Sequence, residues 1–310
     1  MKKILTLICA SVLCTTLAFA QRSHEEYVSR YKLLTDRLGA AGVGVETLLN
    51  SWEADWPEDV DMLCGKFSYY FAKSQSIEVV RKDQEKFLGA APVITLKDST
   101  GAPVYYFQET MYDDDLFALS AQYIDRAIRL KPDEIDLRFN RITALISYEK
   151  ESPDMAVADL RSIIDWYYTS GRKVMFREQE VDNDFFCAAV QEYCYTFFLI
   201  GSPVSMEAFR SLSEKMLDYN PGSPLFMDNI GSYHFVWKKD NRTAEKYYTK
   251  VLKKHPDDYT AVRNLVLMYR RAKDFKKEKK YLARLSEISS DETEKAAAKA
   301  RYEALNSKKK

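Results

Sequence analysis

The feature that most narrows what this chain folds into is a stripe that recurs along it. An apolar or small residue is followed by others at +4 and +7 and by a proline at +12. The stripe occurs as Val45, Leu49, Trp52, Pro57; as Ser120, Ile124, Ala127, Pro132; and as Ala244, Tyr248, Val251, Pro256. A copy one residue longer reads Ala208, Leu212, Met216, Pro221. Residues at such spacing lie on one face of an α-helix. The proline ends the helix that carries them, because it lacks a donor and clashes with the preceding turn. From Pro221 to Pro256 is 35 residues, close to the length of a helix-turn-helix repeat. With only 10 Gly and 9 Pro in 310 residues, collagen-like and linker-rich architectures are excluded, and a many-turned β-sandwich is disfavoured.

The second half shows the unit most clearly. A helix is expected from Pro224 to Lys238, with Gly231 at a point of close approach, and its partner from Arg242 to Lys254. The next pair starts at Tyr259, carries Val262, Leu265, Val266 and Tyr269 on one stripe, and turns at Lys273-Asp274. Tyr281, Leu282 and Leu285 follow on its second helix. Two stretches break the rhythm. Residues 76–112 are too long for a turn between helices. They hold two β-branched and aromatic runs, 92–97 and 103–108, around Asp98-Ser99-Thr100-Gly101, which predicts a β-hairpin over about 92–108. Residues 169–181 read as a polar loop before a helix, 184–200, that is apolar on most faces and hence expected to be buried.

These spacings resemble the tetratricopeptide repeat (TPR), most clearly over 223–288 and also over 45–70 and 116–165. The resemblance implies antiparallel helix pairs stacked into a right-handed superhelix. The fold class expected is therefore all-α: one TPR-like helical solenoid over 21–310 with a β-hairpin insertion in 76–112. With the hairpin and the neighbourhood of Asp136-Leu137-Arg138-Phe139, the layout looks like a family of exported TPR-like proteins of Gram-negative envelopes, to which no biochemical activity is assigned. In TPR domains that clamp a peptide carboxylate, Asn, Lys and Arg occupy set positions on the first helix of each pair. Asn229 and Asn264 match such positions in successive repeats, with Arg263 adjacent, while the clamp lysines have no counterpart. These three residues are the candidate binding groove.

The first twenty residues read as a secretory signal. Lys2 and Lys3 precede an apolar stretch from Ile4 to Leu17, and Ala18-Phe19-Ala20 is a cleavage site. Nothing later is expected to span a membrane, since Gln191-Glu192 interrupts the most apolar segment. The mature chain is expected in a periplasm or outside the cell. Cleavage leaves Cys64, Cys187 and Cys194. The last two, seven residues apart on one helix, are out of disulfide reach of each other, and a bridge to Cys64 stays open beside three free thiols. Asp98-Ser99-Thr100 resembles an O-glycosylation acceptor of some bacterial envelopes, or is a plain Asp-initiated turn.

The formal net charge is zero, yet the charges are unevenly placed. Residues 21–237 hold 22 Lys+Arg against 35 Asp+Glu, and residues 238–310 hold 22 against 11. The basic end is either a set of solvated helix faces or a surface for an anionic partner; acid-to-base self-association is a third reading. Nucleic acid is not expected as the partner of an exported chain, and the basic helices lack interleaved aromatic platforms. Signatures of catalysis are missing. His24, His234 and His255 have no partner at helical metal spacing, and neither a G-x-S-x-G elbow nor a P-loop occurs. Gly39, Gly42 and Gly44 follow a helix, as a helix stop does. The sequence thus points to a non-enzymatic protein-interaction scaffold without cofactor or metal, binding a protein or peptide segment. The alternative is a small-molecule or glycan-binding envelope protein, which needs a pocket with aromatics facing inward.

Overall fold

A computed structural model describes residues 22–307, so the leader and Lys308, Lys309 and Lys310 lie outside the described residues. The described chain is all-α in class, with thirteen helices and a small inserted sheet. It divides into two compact units, one running to Lys73 and resumed over Asp115–Leu130, the other made of Ser74–Asp114 and the chain from Lys131 onward.

The first unit holds α1 (His24–Leu38), α2 (Val45–Asp55), α3 (Val60–Lys73) and nearly all of α4 (Asp114–Leu130). The first two stripes supply much of its core: Val45, Leu49 and Trp52 on α2, and Ser120, Ile124 and Ala127 on α4, are all buried. Trp52 stacks on Tyr27 at 5.4 Å between centroids, and its indole donates to Asp59 at 3.0 Å. Lys66 is buried but answered, donating to Asn50 at 2.9 Å, to Glu53 and to the Tyr123 hydroxyl at 3.3 Å. Burying an ammonium is tolerable only with such partners.

The second unit stacks helix pairs: α5 (Ile135–Tyr148), α6 (Asp154–Thr169), α7 (Asn183–Ile200), α8 (Pro203–Tyr219), α9 (Pro224–Ser232), α10 (Asn241–Lys254), α11 (Tyr259–Arg271), α12 (Phe275–Ile288) and α13 (Glu292–Ser307). From α7 onward, most consecutive helices are joined by two to four residues, which turns neighbours antiparallel. Each packs on its predecessor, and α6 with α8 and α9 with α11 also touch across a repeat, as stacked repeats do. Asp side chains start these helices. Asp182, Asp240, Asp258 and Asp274 each accept a backbone N–H three residues on. The remaining stripes, Ala208, Leu212, Met216 and Ala244, Tyr248, Val251, are buried as expected. An added Cβ at Gly231 would stand 2.7 Å from the Tyr248 ring, so this glycine is the close approach the spacing predicts. Beyond α9 the chain widens into a π-helical turn, Tyr233–Lys238, ended by Lys239 at φ 56°.

The insertion is a sheet of three strands in the order β1-β3-β2: β1 (Gln75–Lys82), β2 (Ile94–Lys97) and β3 (Pro103–Tyr112). The expected hairpin is β2 and β3, closed at Lys97↔Pro103. Asp98 Oδ1 accepts from the Thr100 and Ala102 amides, which makes the tip an Asp-initiated turn. β1 extends the expected hairpin by a third strand, and β3 runs four residues past Gln108. Only Ser74 separates α3 from β1, so no Gly, Pro, Asn or Asp announces the change of period. A short second hairpin, β4 (Met175–Phe176) and β5 (Gln179–Glu180), lies in the expected polar loop. None of the three cysteines among the described residues takes part in a disulfide.

Candidate functional site: the two faces of the inserted sheet

Directly opposed residues of paired strands share a face. Ile77 and Val79 lie opposite Thr110 and Gln108, and Ile94 and Leu96 lie opposite Tyr106 and Val104. All four β3 partners are even-numbered, so the four aliphatic residues stand on one side of the sheet. They are 68%, 58%, 49% and 53% exposed. Among the described residues the edge strands β1 and β2 each pair on one side only, with β3.

The opposite face carries Phe107, Glu109 and Met111, and the end of β3 from Phe107 to Tyr112 walls a cavity of about 780 Å³ whose other walls are the ends of α5 and α7 and the loop before β2. That loop is held by a tight turn. Phe87 and Ala90 exchange backbone hydrogen bonds at 3.1 and 2.9 Å around Leu88 and Gly89, both at positive φ, as a type I′ turn requires. Gly89 presses on the end of α7, where an added Cβ would come within 2.2 Å of the Leu199 carbonyl oxygen. The turn thereby fixes Phe87 edge-on to Phe107, with ring centroids 6.0 Å apart. Lys82 Nζ sits 3.9 Å from the Phe87 ring centroid, 3.0 Å from Glu109 and 3.8 Å from Glu151.

At the other end Tyr112 and Tyr148 meet edge to face at 5.5 Å, and the Tyr148 hydroxyl donates to Asp114 at 2.7 Å. That hydrogen bond raises the Tyr148 phenol above its ordinary value. Glu149 Oε2 accepts from the Met155 and Ala156 amides and so anchors the start of α6. Burial pushes its carboxyl up against the opposing pull of those amides. Chemically the cavity offers an apolar floor, two tyrosine rings and a mostly acidic rim. The volume falls in the range of about 300–1,000 Å³ usual for ligand sites.

The groove residues singled out in the sequence lie elsewhere. Asn229, 6% exposed, exchanges hydrogen bonds with Gln191 at 3.0 and 2.6 Å and donates to Ser213 at 3.0 Å. Asn264 donates to Ser232 at 3.3 Å, and Arg263 pairs with Glu294 at 2.9 Å. The α9–α11 contact brings the first helices of successive repeats together as expected. Each of the three makes at least one hydrogen bond to another helix, and Arg263 remains exposed. The cavity residues carried no motif, because Phe87, Gly89, Met111 and Tyr148 meet only once β1, β3 and α5 are assembled.

Two further clusters lie away from the sheet. His24 Nε2 lies 3.3 Å from Asp59 and 3.1 Å from Asp61, a neighbourhood that sequence spacing does not reveal. Asp59 also caps α3, accepting from the Asp61 and Met62 amides. In the basic region most of the few acids are committed: Glu245 to Lys277, Asp257 to Arg284, Glu278 to Arg270 and Arg301, and the capping aspartates to amides. The surplus charge there is thus lysine- and arginine-rich surface.

Fold and site together define a helical-repeat protein carrying an inserted β-sheet. No family model matches the chain, and no curated protein matches it. Among solved structures it is similar to a flexible tandem repeat domain from a bacterial cellulose synthase, at 13% identity and a TM-score of 0.26, over 92% of this chain and 98% of that one. The repeat is seen in the helix packing described above. Among the described residues no helix is long and apolar enough to cross a membrane.

Proposed function

We propose that this protein is a non-enzymatic interaction module of the bacterial envelope, exported by its N-terminal leader, which holds a partner protein against the outward face of the inserted sheet. One observation supports this reading above the others: Ile77, Val79, Ile94 and Leu96 form an exposed aliphatic row on a sheet with two open edges. Exposed apolar patches rimmed by polar residues mark interaction sites. An extended segment that adds to a sheet edge gains main-chain hydrogen bonds there and side-chain contacts along the row. The surplus of positive charge over 238–310 would steer an anionic partner, an effect that salt screens. The test is chemical crosslinking of the tagged chain in its native envelope, at low and high salt, beside the double variant Val79→Glu/Leu96→Glu. The reading expects one reproducible partner that the double variant loses while its melting temperature stays unchanged. A variant that keeps the partner contradicts it.

A second reading is favoured by the cavity. Its volume and its inward aromatic rings suit a small-molecule ligand.

A further inference from the structure

The cavity wall is chemically lopsided. Its floor is apolar, with Phe87, Phe107, Met111, Ile146 and Ile200 contributing. Its rim carries four carboxylates, Glu109, Asp114, Glu149 and Glu151, and, among the described residues, a single lining cation, Lys150. Lys82 approaches from outside the lining and answers Glu109 and Glu151. Asp114 and Glu149 receive only neutral donors, the Tyr148 hydroxyl and two α6 amides. The rim stays net negative. An anionic ligand would enter against like charge in a partly desolvated site, whereas a cation would be drawn in. The Tyr112 and Tyr148 rings add electron-rich faces of the kind that attract alkylammonium groups.

We propose that this cavity binds a small apolar ligand carrying a positive charge, its body on Phe107 and Met111 and its charged end among the rim carboxylates. The proposal rests on the second reading above, that the cavity holds a ligand. It names what that ligand must look like.

The test is calorimetric titration of the full chain at low salt with decyltrimethylammonium and with decanoate, both kept below micelle formation. The expected result is saturable binding of the cation at one site, tighter than decanoate by about tenfold, a difference of about 1.4 kcal/mol. Met111→Trp, which fills the floor from an exposed strand position, should weaken the cation by about tenfold at unchanged melting temperature. Thr196→Trp, from the α7 wall, serves the same purpose if the first variant folds poorly. Glu109→Gln/Glu151→Gln should bring the two affinities within about twofold. Decanoate binding as tightly as the cation, yet lost in Met111→Trp, would overturn the charge preference and leave the ligand-binding reading standing. Absence of saturable binding by either probe would overturn both.

Discussion

Two glycines face the same steric problem with different outcomes. An alanine at 231 sets its Cβ 2.7 Å from the Tyr248 ring, which is fully buried and has nowhere to go; an alanine at 65 meets the far end of the Leu49 side chain at 2.7 Å. Helix propensity favours both substitutions by about 1 kcal/mol, and overpacking opposes it by about 1–3 kcal/mol. Gly231→Ala is expected to lower the urea midpoint, by a net loss of up to about 2 kcal/mol at unchanged slope, while Gly65→Ala changes it little. Asp228 is a different kind of residue-scale tension. Burial first, then the neighbouring Asp258 carboxylate, pushes its carboxyl up to about 9, and its Oδ1 has no hydrogen-bond partner. The folded value lies above the unfolded one. The stability this group contributes is therefore complete below about pH 3.9 and is lost as pH rises toward 9, with a slope reaching about 1.4 kcal/mol per pH unit. Asp228→Asn removes that slope, so its stability relative to the parent should increase between pH 6 and pH 8.5 in urea titrations. An unchanged difference contradicts the assignment. Gly231 was legible in the sequence because a repeat's close approach has a fixed place. The seam roles of Asn229 and Asn264 were not, since an Asn on a helix face reads the same whether it meets solvent or Gln191.

At the scale of elements, the helices were legible because their information is local: a stripe every three to four residues, an Asp or Ser cap, a proline stop. The hairpin of β2 and β3 was legible from the Asp98 turn. β1 was not, because its Ile77 and Val79 face outward and no Gly, Pro, Asn or Asp marks the change of period after α3. The cavity was equally hidden, being assembled from a strand, a tight turn and two helix ends far apart in the chain. Glu278 shows how elements are tied. It is buried on α12 and receives Arg270 of α11 at 2.8 Å and Arg301 of α13 at 3.1 Å. Removing one partner of a buried ion pair costs about 3–5 kcal/mol, because the remaining charges are left uncompensated. Partial exposure of both arginines places Glu278→Ala nearer the low end of that range. It should release α13 in particular, visible as faster amide exchange over Glu292–Ser307 with little change in α7. Unchanged protection of α13 would mean that packing around Ala298 alone holds the helix.

For the molecule as a whole, the informative departure from a plain helical repeat is the sheet. Every stripe repeated in the sequence is spent on core, and Asn229, Asn264 and Arg263, which matched a peptide clamp, each bond across a helix seam. The outward row of the sheet is the apolar surface that no described residue of the second unit explains by burial. The basic region is a separate surface, where most acids are used for caps and bridges and the remaining charge is cationic. The proposed function puts partner recognition at the insertion, with the helices as its frame. The most direct measurement places the photo-crosslinker p-benzoylphenylalanine singly at Val79, at Leu96 and, as a control, at the exposed Lys250 on α10, and irradiates cells carrying each variant. One protein adduct of the same mass is expected at Val79 and Leu96, and none at Lys250. Adducts absent from both sheet positions, or equal at Lys250, would contradict it.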